Sequence, residues 1–290
     1  MKVQSLSIVV PSSCGNDCEF CCSKMADHIY SNVVGLSSDR NGVQDKYLNK
    51  MAFARDNGCN TLLLTSKGEP MSNRGFIKWV CELNTKLQKP FRWVELQTSG
   101  LNCDMDNLRD LKRLGVISTV ALSVAYIFDE YLNARIMHKA TGYVSRKVAN
   151  DIKACGFNLR LSLNIWNQYE TLHHSALRIL SEADAWAADQ VTLRRLYKSN
   201  YSMTKQSAWV TQNDVTDTYW ESLKDQIRKE GIPLNTLDFG ATRYSMFNRI
   251  STVVDNDCMS GDAKPEIRYL VLQPDLHLYT HWNNPGSKLF

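Results

Sequence analysis

Short apolar or alternating runs punctuate the first two thirds of the chain, at residues 6–10, 61–65, 93–97, 119–124, 159–165 and 191–196. Each has the length and the aliphatic or β-branched content of a strand. Between them, apolar positions recur at helical spacing. The pattern predicts helices over 46–57, closed by Gly58, and over 76–87, ending before Pro90. It predicts three more over 106–114, between Asp104 and Gly115, over 144–155, followed by Gly156, and over 172–187. Strands alternating with helices imply βα units on a parallel sheet with right-handed crossovers. Six such units predict an α/β fold, a partial (β/α)6 TIM-like barrel.

After about Lys198 the pattern changes. One more helix is expected over 219–230, and then strands over 237–247, 250–254, 268–273 and 277–282. The last two flank Pro274-Asp275, a plausible hairpin turn. No linker rich in Gly, Ser or Pro separates this tail. Residues 1–198 are therefore expected to form the core barrel, and 199–290 a C-terminal β-rich cap packed on it, covering its substrate end.

Composition narrows the class. With 43% hydrophobic and 22% charged residues the 290-residue chain is globular rather than disordered. No apolar stretch approaches the roughly 20 residues of a membrane span. Met1-Lys2-Val3-Gln4 opens no long apolar segment with a small-residue cleavage site, so a reducing, cytoplasmic location is expected. A net charge of +4 admits an anionic substrate but is far from the dense basic face of a committed nucleic-acid binder.

The candidate chemistry lies directly after the first apolar run, in Ser12-Ser13-Cys14-Gly15-Asn16-Asp17-Cys18-Glu19-Phe20-Cys21-Cys22. A disulfide knot, a zinc site and an iron–sulfur cluster all crowd cysteines in this way. An odd total of nine cysteines and a reducing compartment weigh against the knot. Zinc usually takes four protein ligands, and no second CxxC exists. Cys14, Cys18 and Cys21 in CxxxCxxC spacing suit a 4Fe–4S cluster with one iron left open. The loop follows the first strand, at the C-terminal mouth of a barrel, where active sites sit. Cys22 reads as a packing residue.

CxxxCxxC with the aromatic Phe20 before its last cysteine resembles the radical S-adenosylmethionine (SAM) superfamily. The resemblance implies that the open iron chelates the amino and carboxylate groups of SAM. Reductive cleavage then gives methionine and a 5′-deoxyadenosyl radical that abstracts a substrate hydrogen. It implies cofactors, a 4Fe–4S cluster and SAM, and an electron donor of flavodoxin or ferredoxin type. Gly68-Glu69-Pro70 after the second strand is similar to the family's GGE motif in its GEP form, with Lys67 in place of the first glycine. By that likeness Glu69 would accept hydrogen bonds from the SAM ammonium. Thr98-Ser99-Gly100 resembles the turn near the ribose. Ser123 with Arg135 twelve residues on resembles the pair that holds the SAM carboxylate and ribose. Ser162 or Asn164 is expected at the ribose, and the backbone near Leu193 at the adenine. The likeness covers about residues 5–197.

Other residues carry further expectations. Cys258 would be a hydrogen donor to a substrate radical. Tyr244 and His281 would stand near the substrate. His173 and His174 read as surface residues. Alternation should turn one of Arg194 and Arg195 into the barrel, where it would favour a phosphate or carboxylate. The expected substrate is a nucleotide or nucleic-acid base. A peptide or small metabolite is the alternative within the same chemistry, and a non-catalytic iron–sulfur redox or sensor protein is the alternative outside it.

Overall fold

The computed structural model describes residues 3–26, 40–139, 143–199, 202–237, 241–255 and 267–290. Six strands, β1 (Val3–Val9), β2 (Thr61–Thr65), β3 (Trp93–Thr98), β4 (Thr119–Val124), β5 (Asn158–Ile165) and β6 (Gln190–Arg195), pair in parallel in chain order. Between β1 and β2 lie α1 (Cys22–Met25) and α2 (Arg40–Asp56), and α3 (Arg74–Lys86) and α4 (Met105–Lys112) follow β2 and β3. After β4 come α5 (Glu130–Met137) and α6 (Ser145–Ala154), and after β5 come α7 (Asn167–Thr171) and α8 (Ala176–Ala185). The fold is therefore the expected partial α/β barrel. Among the described residues no helix is long and apolar enough to cross a membrane.

Strand alternation divides the two faces. In β5, Leu159, Leu161, Leu163 and Ile165 are fully buried, while Arg160 and Asn164 line the interior cavity. In β6, Leu193 is buried in the hydrophobic core, and Thr192 and Arg194 line the cavity. The period of two thus packs one face against apolar helix faces and leaves a polar interior. In α3, Phe76, Ile77, Val80, Cys81 and Leu83 are buried, and Asn73 caps the helix by accepting from the Phe76 N–H at 3.2 Å. Cys59, Cys81 and Cys103 are buried.

The helix expected over 172–187 is the shorter α8, Ala176–Ala185. His173 takes a left-handed φ of 50°, which ends α7, and the Ser175 hydroxyl then caps α8 by accepting from Arg178. The 5-residue α7, α5 and α9 (Lys205–Asn213) had not been marked out by the apolar pattern. α10 (Asp217–Glu230) follows, begun by the Thr216 cap.

The tail adds strands at both ends of the sheet. β7 (Ile232–Thr236), β8 (Thr242–Met246) and β9 (Ile250–Asp255) form an antiparallel meander, and β9 lies parallel to β6. β10 (Ile267–Leu272) lies parallel to β1, and β11 (Leu278–Tyr279) turns back on it. The Asp275 carboxylate accepts from the His277 N–H at 3.0 Å and from the Tyr279 hydroxyl at 2.6 Å, which tightens that hairpin. The sheet order is β11-β10-β1-β2-β3-β4-β5-β6-β9-β8-β7, and the sheet is open.

Candidate active site

The loop after β1 and the loop after β2 are tied together through hydroxyls and main chain. Ser66 donates to the Val10 carbonyl at 2.7 Å and accepts from the Gly68 N–H at 2.8 Å. The Glu69 N–H reaches the Ser13 carbonyl at 3.0 Å. A Cβ at position 68 would stand 2.3 Å from the Ser12 carbonyl oxygen, so only glycine allows this approach. A third tie runs to α5, where the Glu19 N–H donates to the Ile136 carbonyl at 3.0 Å.

These ties bring Cys14, Cys18 and Cys21 to one cavity of about 430 Å³. Burial, then the neighbouring Cys21 and Cys14, push the Cys18 thiol up to about 12. Burial also raises Cys21. Thiols that resist ionisation this strongly become thiolates when a bound metal supplies positive charge. Among the described residues no three His, Cys, Asp or Glu side chains come close enough to hold a single metal ion. A cluster asks less of them, because its thiolates bind separate irons. Cys22 also borders the cavity and packs against the core. The Asn16 side chain lines the same space, is 4% exposed, and finds no partner for either its oxygen or its nitrogen. A buried orphan amide of that kind suits a polar ligand.

Glu69 is the hub of the next layer. Its carboxylate is 1% exposed and accepts four hydrogen bonds. The Met71 N–H at 3.0 Å and the Thr98 hydroxyl at 2.6 Å reach Oε1, while the Ser99 N–H at 2.8 Å and hydroxyl at 2.6 Å reach Oε2. Those bonds lock the Thr98-Ser99-Gly100 turn onto the loop after β2, and two of the four donors are hydroxyls that can rotate to other partners. Gly100 has φ of 91°, and a Cβ there would meet the Tyr143 hydroxyl at 1.9 Å. Behind the turn, Lys139 donates to the Ser99 carbonyl at 2.8 Å, and burial lowers its ammonium to about 7.

Phe20, Gly68, Glu69, Pro70, Thr98, Ser99, Ser123 and Asn164 all line the cavity with the three cysteines. Ser162 is buried on the same strand face as Arg160 and Asn164. Arg135 departs from expectation. It is exposed on α5 and is not among the cavity residues. The Leu193 side chain packs outward into the core, and the β6 side chains that line the cavity include Thr192 and Arg194. Tyr244 and His281 are not lining residues. Cys258 lies outside the described residues. His174 is no surface residue: it is 3% exposed, stacks on Phe128 at 4.0 Å and meets the Tyr126 hydroxyl at 2.8 Å.

Sequence reasoning had passed over the interior polar ring. Arg160 donates to Glu95 at 2.5 Å, and Gln97 donates to the same carboxylate at 3.0 Å. Alternation within β3 and β5 carried that signal, since polar residues fall at every second position. Arg195 is tied away by Asp214 at 2.9 Å and Asp217 at 2.6 Å.

A partial parallel barrel with three thiols lining one cavity at the mouth after its first strand is the setting an iron–sulfur cluster requires. The family model of the radical SAM superfamily matches residues 8–174, more than half of the chain, and the chain belongs to that superfamily. Its enzymes use a 4Fe–4S cluster and SAM. No curated protein matches the sequence. Among solved structures, Streptococcus suis SuiB bound to its precursor peptide SuiA is similar at 14% identity and TM-score 0.59, over 96% of this chain and 59% of that one. The enzyme anSMEcpe with bound AdoMet is similar at 14% identity and TM-score 0.62, over 100% of this chain and 74% of that one. Coproporphyrinogen III oxidase (HemN) from Escherichia coli, a radical SAM enzyme, is similar at 10% identity and TM-score 0.54, over 88% and 63%. At these identities the likeness shows the fold. The chain spans about three fifths of the length of SuiB.

Proposed function

We propose that Cys14, Cys18 and Cys21 hold a 4Fe–4S cluster in the cavity, and that SAM binds between it and the loops after β2, β3 and β4. When bound, that pair would supply a 5′-deoxyadenosyl radical, at the cost of one electron from a flavodoxin- or ferredoxin-type donor, and the radical would abstract a substrate hydrogen. The carrying observation is the convergence of the three thiols with Gly68, Ser99 and Ser123 on one cavity. Glu69 holds the Ser99 turn in place, Gly68 permits the close approach of the two loops, and Asn16 offers an unpartnered amide to the ligand. Phe20, against Trp209 at 6.4 Å between ring centroids, helps keep water from the cysteine loop.

Arg194, whose Nε has no hydrogen-bond partner, favours a nucleotide, through its phosphate, as the carrier of the base acted on. A peptide, which SuiB binds as SuiA, is the competing substrate, and screening both against the loaded enzyme decides between them. The function itself is tested by anaerobic reconstitution with iron and sulfide, followed by dithionite and SAM, with mass spectrometry for 5′-deoxyadenosine. A protein that binds about four irons and yields 5′-deoxyadenosine supports the reading. Iron loading without any SAM cleavage points to a redox or sensor protein instead.

A further inference from the structure

The charges of the cavity do not balance. Its two lining carboxylates are both satisfied within the protein, Glu69 by four hydrogen bonds and Glu95 by Arg160 and Gln97. On the cationic side, Arg160 faces Glu95, Arg195 is held by Asp214 and Asp217, and Lys67 and Arg268, which also line the cavity, have interactions of their own. Arg194 differs. It lines the cavity, its Nε is buried without a hydrogen-bond partner, and among the described residues no acidic side chain pairs with it. Arg194 is half-buried, and a guanidinium edge withdrawn from water without a partner is costly. A ligand oxyanion would relieve that cost through a bidentate fork.

The place of Arg194 in the sheet separates it from the cysteines. It is the register partner of Asn164 on β5 and of Asp255 on β9, and its strand stands five places from β1 along the curved sheet. The cysteine loop follows β1, and the amino-acid end of SAM belongs at that loop. From this we infer that Arg194 is the oxyanion receptor of the substrate site, gripping a carboxylate or phosphate of the substrate rather than the carboxylate of SAM. The inference rests on the proposed function for the identity of the site, and it names the charged class of substrate that the site takes.

The test uses the cluster-loaded protein with SAM bound, titrated calorimetrically with inorganic phosphate and separately with acetate. Phosphate or acetate should bind saturably, and the tighter of the two identifies the oxyanion. Arg194→Gln should weaken that binding about ten- to hundredfold, the usual loss for a charge-assisted pair. Arg194→Lys, which keeps the charge but not the fork, should fall between, and it reports on the site even if the glutamine variant does not fold. SAM affinity, measured on the same samples, should change less than about twofold. Unchanged oxyanion affinity in Arg194→Gln overturns the inference, and so does the absence of saturable binding to the wild type. Competition between phosphate and SAM, with both lost together in Arg194→Gln, also overturns it by assigning Arg194 to SAM. If the wild-type protein binds no SAM but its Arg194-dependent oxyanion site persists, the SAM reading fails and the receptor stands.

Discussion

Replacing Glu69 tests how the loops after β2 and β3 are held. Glu69→Ala removes four acceptor contacts at 2.6–3.0 Å and leaves the Met71 and Ser99 N–H groups without them in a site that is 1% exposed. Hydroxyls of Thr98 and Ser99 can rotate to other partners, but the two N–H groups cannot. Each orphaned donor costs about 1–3 kcal/mol, so a loss of about 3–5 kcal/mol is expected. For a chain of this size that is a fall of roughly 5–10 °C in Tm. Glu69→Gln sharpens the argument. Each carboxylate oxygen accepts from one backbone N–H, so either orientation of the amide sets an NH2 against a donor that cannot turn away. It should cost about 1–3 kcal/mol despite its near-identical shape. Thermal melting and SAM titration of both variants are the assays. A glutamine variant that melts within 1 °C or so of wild type and binds SAM normally would refute the hub reading.

Cys14→Ala, Cys18→Ala and Cys21→Ala should each lose the cluster, while Cys22→Ser keeps most of its iron by metal analysis. The reverse pattern at 21 and 22 would reassign the third ligand. Arg135→Ala should leave SAM affinity within about twofold, because the side chain is exposed and away from the cavity. Lys139 is held at about 7 by burial while the unfolded chain keeps the ordinary value near 10.5. Between those values the unfolded state binds more protons, so its contribution to stability grows as pH rises above 7 and reaches its floor below 7. In metal-free protein, Lys139→Met should therefore flatten the stability profile between pH 7 and 9, and an unchanged slope in chemical denaturation would count against that assignment. Ending the chain at Asp255 removes β10, which pairs with β1 and buries Leu270, Val271 and Leu272. The bared β1 edge should make that truncation insoluble or several kcal/mol less stable, as solubility and denaturant melts would show.

Local pattern was enough for the six βα units and the cysteine loop. Strands 61–65 and 119–124 fall on the observed β2 and β4, because an aliphatic run of that length reports its own burial without knowledge of its neighbours. CxxxCxxC was legible for the same reason: three cysteines within eight residues form a short-range feature. The remaining facts depend on contacts between residues far apart in the chain. Periodicity says which residues share a face but not what meets that face. β10 took its place beside β1 across more than 250 residues, and β9 beside β6, which no local signal specifies. His174 looked exposed until Tyr126 and Phe128 closed over it. Arg135 had a plausible sequence spacing, yet α5 turns it outward. That Glu69 would bind the turn after β3 through both of its oxygens was likewise not legible locally. The residue types were written in the sequence. Which of them were left unpartnered in the cavity, Asn16 and Arg194 among them, was settled only when the sheet curved and every other polar group had found its partner.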